Sequence, residues 1–151
     1  MRWCASAPKL GGMAKLRVVF EPYNSGAAEL VRDRLALYNV AVTGRSDYWP
    51  VQFFLRDDQD EIFGGLLGSV WAGWLFVSSL WVDKPARGKG HATRMMDAAE
   101  ALARERGCES VFLDTHSFQA RPFYEKRGYE VFGTLDDYPE GHQRFFLKKK
   151  L

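Results

Sequence analysis

The chain has 151 residues, 46% of them hydrophobic and 15% aromatic, with a formal charge of +2. That length suits one domain able to bury most of its apolar surface, and the composition excludes a disordered, charge-rich chain. The charge is too small to imply nucleic-acid binding, and Lys148-Lys149-Lys150 reads as a solvated basic end.

Two cysteines, Cys4 and Cys108, make no disulfide framework, and no Cys/His cluster has metal-ligand spacing, so no metal is expected. No apolar run reaches the roughly 20 residues needed to cross a bilayer, and the N-terminus lacks a signal-peptide core. These features place the expected protein in the cytoplasm, with no membrane partner.

In chain order, residues 1–14 contain Pro8 and Gly11-Gly12, lack periodicity and precede a second methionine at Met13; they read as an extension, with the domain at 15–151. Leu16–Phe20 reads as a first strand. Ala27, Leu30, Val31, Leu35 and Tyr38 recur at helical spacing. Val51–Arg56 and Glu61–Trp71 flank the turn-rich Asp57-Asp58-Gln59-Asp60 and predict a β-hairpin, and Leu75–Val82 follows a turn at Ala72-Gly73. Ala92, Met95, Met96, Ala99, Leu102 and Ala103 mark one face of a long helix that Gly107 stops. Val111–Asp114 predicts a strand parallel to the one before that helix. Gln119–Lys126 predicts a short helix that tolerates Pro122 in its first turn, and Tyr129–Phe132 and Gln143–Leu147 are the last two strands. This order suits an α/β protein of the α+β type, a central mixed sheet with helices on both faces.

Between the third hairpin strand and the long helix stands Arg87-Gly88-Lys89-Gly90-His91-Ala92. Glycines let a backbone approach a ligand closely, and the first N–H groups of a helix lack internal partners, so the segment forms a pocket for phosphate oxygens. It is neither a Walker P-loop, which needs Gly-Lys-Ser/Thr, nor a dinucleotide fingerprint, because Thr93 stands where the third glycine belongs.

The loop resembles Arg/Gln-x-x-Gly-x-Gly/Ala, the pyrophosphate motif of the GNAT N-acetyltransferase superfamily, with Arg87, Gly90 and Ala92 at the defining positions. A second block, Ala120 to Tyr129, resembles that superfamily's Ala-x-x-Phe-Tyr-x-x-x-Gly-Phe/Tyr helix. The resemblance implies a GNAT-like acyl-CoA N-acyltransferase fold and acetyl-CoA as co-substrate. It also implies transfer of the acetyl group to a primary amine by direct attack in a ternary complex.

By resemblance, the backbone of Leu80, Trp81 and Val82 would pair with the pantetheine arm. Gly88, Lys89, Gly90, His91 and Ala92, with Arg87 and Thr93, would hold the diphosphate, and Tyr124 would protonate the leaving thiolate. Ser117 stands where the superfamily often has an asparagine that contacts the arm. A base must also relieve the amine of a proton. His116, Asp114, Asp136, Asp137, Asp47 and Glu140 are the choices, with His116 attractive because an unperturbed histidine titrates near ~6.5.

The acceptor side would use Tyr48, Trp49, Trp71, Trp74, Tyr138 and the acidic Asp136-Asp137, a lining suited to a cationic amine. A polyamine-like or antibiotic amine and a protein amine both stay open. Many members of the superfamily dimerise, and an exposed C-terminal edge strand would serve a homodimer. The alternative within the fold is an acyl-CoA-binding sensor without turnover.

Overall fold

A computed structural model of the chain describes residues 16–23 and 25–151. The proposed extension therefore lies outside the described residues. Contacts divide the chain into two units, one ending at Gly44 and one spanning Arg45–Leu151. In the first unit, the helical spacing forms α1 (Ser25–Thr43). The expected strand at residues 16–20 does not form. A strand exists only as a ladder with a partner, and every ladder of the sheet lies within residues 49–150.

The second unit is a six-stranded mixed sheet. Its strands are β1 (Trp49–Arg56), β2 (Ile62–Trp71), β3 (Trp74–Val82), β4 (Ser110–His116), β5 (Glu130–Asp136) and β6 (Gln143–Lys150). Two helices accompany them, α2 (His91–Glu105) and α3 (Arg121–Lys126). The strand order is β1-β2-β3-β4-β6-β5, antiparallel throughout except for the parallel pair β3 and β4. The hairpin of β1 and β2 turns through Asp57–Asp60, where the Asp57 carboxylate accepts hydrogen bonds from the N–H groups of Gln59 and Glu61. Ala72 and Gly73, both with positive φ, make the tight turn between β2 and β3.

The C-terminal strand is not an edge. β6 lies between β4 and β5, so the exposed C-terminal edge expected for dimer pairing is absent and the edges are β1 and β5. Parallel strands need a crossover, here α2, and the chain then places β5 outside β6 by a hairpin.

Alternation along the strands sorts the sheet into two faces. Val51, Leu66, Val70, Leu75, Val77, Val111, Leu113, Phe145 and Leu147 are buried with Met95, Met96, Ala99 and Ala103 of α2. Tyr124 of α3 and Tyr129 complete this core. Within this unit both helices lie on that face. The opposite face carries Trp74, Phe76, Phe112, Phe132 and Phe146; Phe76 and Phe112 stack with ring centroids 4.7 Å apart.

Candidate active site

The parallel pair is short. β3 and β4 are in register from Trp74 opposite Ser110 to Val77 opposite Leu113, and beyond that point they pair no further. A β-bulge sits where the separation begins: Leu67 faces Ser79 and Gly68 faces Val77, leaving Ser78 unpaired with its hydroxyl donating to the Leu67 carbonyl at 3.1 Å. Gly68 makes the bulge possible, since a Cβ there would collide with the Phe76 carbonyl oxygen. Sequence gave no sign of this bulge.

The gap opens into a cleft of about 960 Å³. One wall is β3 from Val77 to Val82, whose side away from β2 has no strand partner from Ser78 onward. The other is the end of β4 with Asp114, Thr115 and His116, and the floor is Phe123 and Tyr124 of α3. Tyr138 and Arg144 close the far end, while Arg87 and Ala92 stand at the end next to the glycine loop.

At that loop Gly88 and Gly90 hold φ of +73° and +77°, with no atom near the place a side chain would occupy. Gly90 is the N-cap of α2 and offers no side-chain cap, so the first N–H groups of the helix remain available. Left-handed glycines, free helix-start donors and an unpaired strand edge fit an elongated ligand with a phosphate-bearing end. Arg87 is turned inward. Its Nε donates to the Val82 carbonyl at 2.8 Å and its guanidinium sits 4.6 Å from the Trp81 ring centroid. It therefore braces the end of β3 as well as lining the cleft.

Of the residues singled out by sequence, Leu80, Trp81, Val82, Arg87, Ala92, His116 and Tyr124 line the cleft together. Gly88, Lys89, Gly90, His91 and Thr93 form the exposed loop and helix start beside it. The His91 Nδ1 accepts from Arg94 at 2.7 Å. Ser117 lies outside the lining: its Oγ is 3.2 Å from the His142 Nδ1 and accepts the Gln143 N–H at 3.2 Å.

Tyr124 is only 6% exposed, and among the described residues its hydroxyl has no hydrogen-bond partner. Burial, with the Asp114 charge as a lesser cause, pushes its pKa up to about 12. Tyr129 behaves differently. Its hydroxyl donates to Glu100 at 2.8 Å, the arrangement expected of a buried tyrosine that serves packing.

His116 stacks with two flat rings, Phe118 at 5.1 Å and Tyr138 at 5.8 Å between centroids, tilted by 20° and 12°. Arg144 continues the column, 5.2 Å from the Tyr138 centroid, and its Nε donates to Asp114 at 2.7 Å. The Asp114 carboxylate is thus already paired with a cation. Of the other bases considered, Asp136 accepts from Gln143 Nε2 at 2.7 Å, and Asp137 accepts the Gly141 N–H at 3.2 Å. Both are exposed and outside the cleft.

The acceptor lining read from sequence needs correction. Tyr48, Trp71 and Trp74 line a separate apolar hollow of about 670 Å³ with Phe76, Phe112, Phe132 and Lys148. Trp49 lies under the Arg106 guanidinium, 3.7 Å from its ring centroid. Only Tyr138 of that set reaches the cleft. Phe118, Gln119, Phe123 and Arg144 were not foreseen there. Arg144 arrives because β6 pairs it with His116, 28 positions away in sequence, which no local pattern announces. Among the described residues no group of His, Cys, Asp and Glu is arranged for a metal ion, and no helix is long and apolar enough to cross a membrane.

Comparison with known proteins agrees with this geometry. Residues 14–129 match the acetyltransferase (GNAT) family. The chain is 34% identical over 133 residues to the acetyltransferase Atu2258 of Agrobacterium fabrum, covering 88% of this chain and 97% of that one. It is 43% identical over 95 residues to the blasticidin-S acetyltransferase of Streptomyces morookaense, covering 62% and 70%. A crystal structure of an acetyltransferase from Agrobacterium tumefaciens superposes with a TM-score of 0.85 at 33% identity, covering 91% of this chain and all of that one. One from Bacillus cereus gives 0.77 at 30% identity, covering 89% and 98%. The chain therefore belongs to the GNAT family and is an N-acetyltransferase whose acetyl donor is acetyl-CoA.

Proposed function

We propose that this protein acetylates a small primary amine by direct attack within a ternary complex, with Tyr124 as the acid and His116 as the base. The observation that carries the reading is the Tyr124 hydroxyl, which opens into the cleft from a buried ring and has no protein partner among the described residues. A phenol presented to the cleft without a protein partner is free to donate its hydrogen bond to a group bound there.

Acetyl-CoA, when bound, supplies an activated carbonyl carbon and a thiolate leaving group. The diphosphate would lie against Gly88–Thr93, and the arm against the free edge of Leu80, Trp81 and Val82, whose N–H groups stabilise charge developing on the carbonyl oxygen. Ser117, turned toward His142, would contribute nothing direct. At the far end, His116 takes one proton from the ammonium group of the acceptor. The freed nitrogen lone pair forms the C–N bond, and the C–S bond breaks as Tyr124 donates to the sulfur. The second amine proton leaves for solvent or restores the phenol, so one amide, one thiol and one proton result.

Tyr124 is a weak acid for this step. From about 12 to an ordinary thiol at ~8.5, full transfer is uphill by roughly 5 kcal/mol. The hydrogen bond to sulfur therefore acts first, and burial that raises the phenol raises a thiol in the same cleft as well.

The kinship to a blasticidin-S acetyltransferase supports a small acceptor over a protein amine. The family match runs from residue 14 to 129, across both units, and supports treating 15–151 as one domain. The buried, unpaired Cys108 thiol is consistent with a reducing compartment such as the cytoplasm.

The test is calorimetric titration of acetyl-CoA, with ATP as control, into the wild type and Gly90→Glu. Thiol release is then followed with blasticidin S, spermidine and a peptide with a free N-terminus. Micromolar binding of acetyl-CoA alone, lost in Gly90→Glu, together with turnover of a small amine, is the expected result. Binding without turnover of any amine would favour the sensor.

A further inference from the structure

The His116 ring has two nitrogens, and only one that lacks a proton can act as a base. In a neutral imidazole the partner of one nitrogen decides which nitrogen that is. Three donors converge here on a single oxygen, Gln119 Oε1. The His116 backbone N–H reaches it at 2.8 Å, Thr115 Oγ1 at 3.2 Å, and His116 Nδ1 lies 3.2 Å away.

The backbone contact settles the orientation of the amide. A main-chain N–H can only donate, so the Gln119 atom facing it is the carbonyl oxygen and not the NH₂. An amide oxygen only accepts. The Nδ1 that faces it must therefore carry the hydrogen, and in the neutral ring Nε2 bears the lone pair.

Three further features fix this state. Thr115 is 3% exposed, so the hydroxyl that also points at Oε1 belongs to a rigid strand position. The backbone of the same turn is closed by the Gln119 N–H donating to the His116 carbonyl at 2.9 Å. Phe118 and Tyr138 both stack nearly parallel to the ring, which favours one ring orientation.

We propose that Gln119 is a positioning residue: its carbonyl oxygen holds His116 in the Nδ1–H form, so that Nε2 is the atom that takes the proton from the amine. The catalytic half of this proposal rests on His116 being the base; the tautomer itself does not. In the proton transfer the amine N–H bond breaks and the Nε2–H bond forms. The positive charge of the imidazolium is then shared with the Gln119 oxygen through Nδ1–H. Gln119 also lines the cleft, but its part in the proton transfer runs through His116.

Two experiments separate the halves. The first is a long-range ¹H–¹⁵N spectrum of the full chain labelled at histidine, recorded above the histidine titration, with the His116 signals assigned by their loss in His116→Ala. A protonated Nδ1 and an unprotonated Nε2 are expected, and the reverse pattern overturns the proposal. The second is kinetic, with the fastest of the three amines used above. Gln119→Met should lower kcat roughly tenfold, a fraction of what a general base contributes, while the Kd for acetyl-CoA stays unchanged. Gln119→Glu should keep the rate, and because a carboxylate favours the imidazolium, the acid limb of the pH profile should move to higher pH.

That profile is read with the charged neighbours unchanged: Asp114 on β4, Arg144 on β6, Tyr124 on α3, and Tyr138 and His142 in the β5–β6 connection. In a His116→Ala background, Gln119→Met should add no further loss. Multiplying losses in the double variant, or a changed Kd for acetyl-CoA in Gln119→Met, would assign Gln119 a purely structural role. Full activity in His116→Ala overturns the base assignment and the catalytic half with it, and the spectrum still decides the tautomer.

Discussion

Two buried phenols 5.8 Å apart between ring centroids show how environment separates chemistry from packing. The Tyr129 hydroxyl donates a hydrogen bond to the Glu100 carboxylate, whereas the Tyr124 hydroxyl faces the cleft with no protein partner. Replacing Tyr124 with Phe should reduce kcat by roughly 10²–10³-fold, within the usual contribution of a positioned acid. Steady-state thiol release and calorimetry together check it, because the Kd for acetyl-CoA should hold. With its pKa at about 12, Tyr124 keeps its proton through pH 10. The wild-type rate should therefore show no alkaline fall from this group below that point, and a pH profile measures it. The tyrosine was legible in sequence because it sits in a local block, Ala120 to Tyr129, with fixed spacing. That its hydroxyl is left to the cleft with no protein partner was not legible, since that depends on what surrounds it in the fold.

At the scale of the element, the bulge in β3 is the device that opens the cleft. One unpaired residue, Ser78, changes the course of the strand, and its neighbour β4 continues straight, so the parallel ladder ends at Val77 and Leu113. The contact of Gly68 with the Phe76 carbonyl leaves no room for a methyl group. Gly68→Ala should cost roughly 1–3 kcal/mol in denaturant unfolding, the usual range for overpacking, and weaken acetyl-CoA binding in calorimetry at the same time. Unchanged affinity in a folded variant would detach the bulge from the cofactor site. The hairpin, the two helices of this unit and the four later strands were all readable from periodicity and turn residues. The expected strand at 16–20 was not realised, because its pattern is satisfied only with a partner ladder.

For the molecule as a whole, one buried carboxylate joins elements that are distant in sequence. Glu100 of α2, 3% exposed, receives Lys149 Nζ from β6 at 2.8 Å, Arg127 from the end of α3 at 3.2 Å and the Tyr129 hydroxyl at the start of β5. Burial alone would raise its pKa, but the bonds from Lys149, Tyr129 and Arg127 outweigh it and hold the group below its ordinary value of 4.5. The folded value is depressed, so the stabilisation is complete above 4.5 and is lost as pH falls below it through the folded pKa. Glu100→Gln should destabilise by roughly 3 kcal/mol, since it leaves Lys149 partly buried without its charge partner and Arg127 with Asp97 alone. A melting-temperature fall of roughly 10 °C near neutral pH, shrinking as the wild type is itself acidified, is the expected calorimetric result. Leu75, fully buried at the centre of the same core, should cost roughly 2–5 kcal/mol as Leu75→Ala, with little dependence on pH.

The sequence by itself determined what local chemistry can specify. The glycines of the phosphate loop, the helix start that follows them and the Phe-Tyr helix are contiguous segments, and each writes its conformation into neighbouring residues. Their order was enough to name the family and its acetyl donor. Tertiary structure alone decided which distant residues meet. Parity along β6 brought Arg144 to Asp114 and His116, and the insertion of that strand between β4 and β5 removed the C-terminal edge. The same fold carried Trp71 and Trp74 to an apolar hollow instead of the cleft. Strand register and order are set by packing summed over the whole sheet, and no window of sequence contains that sum.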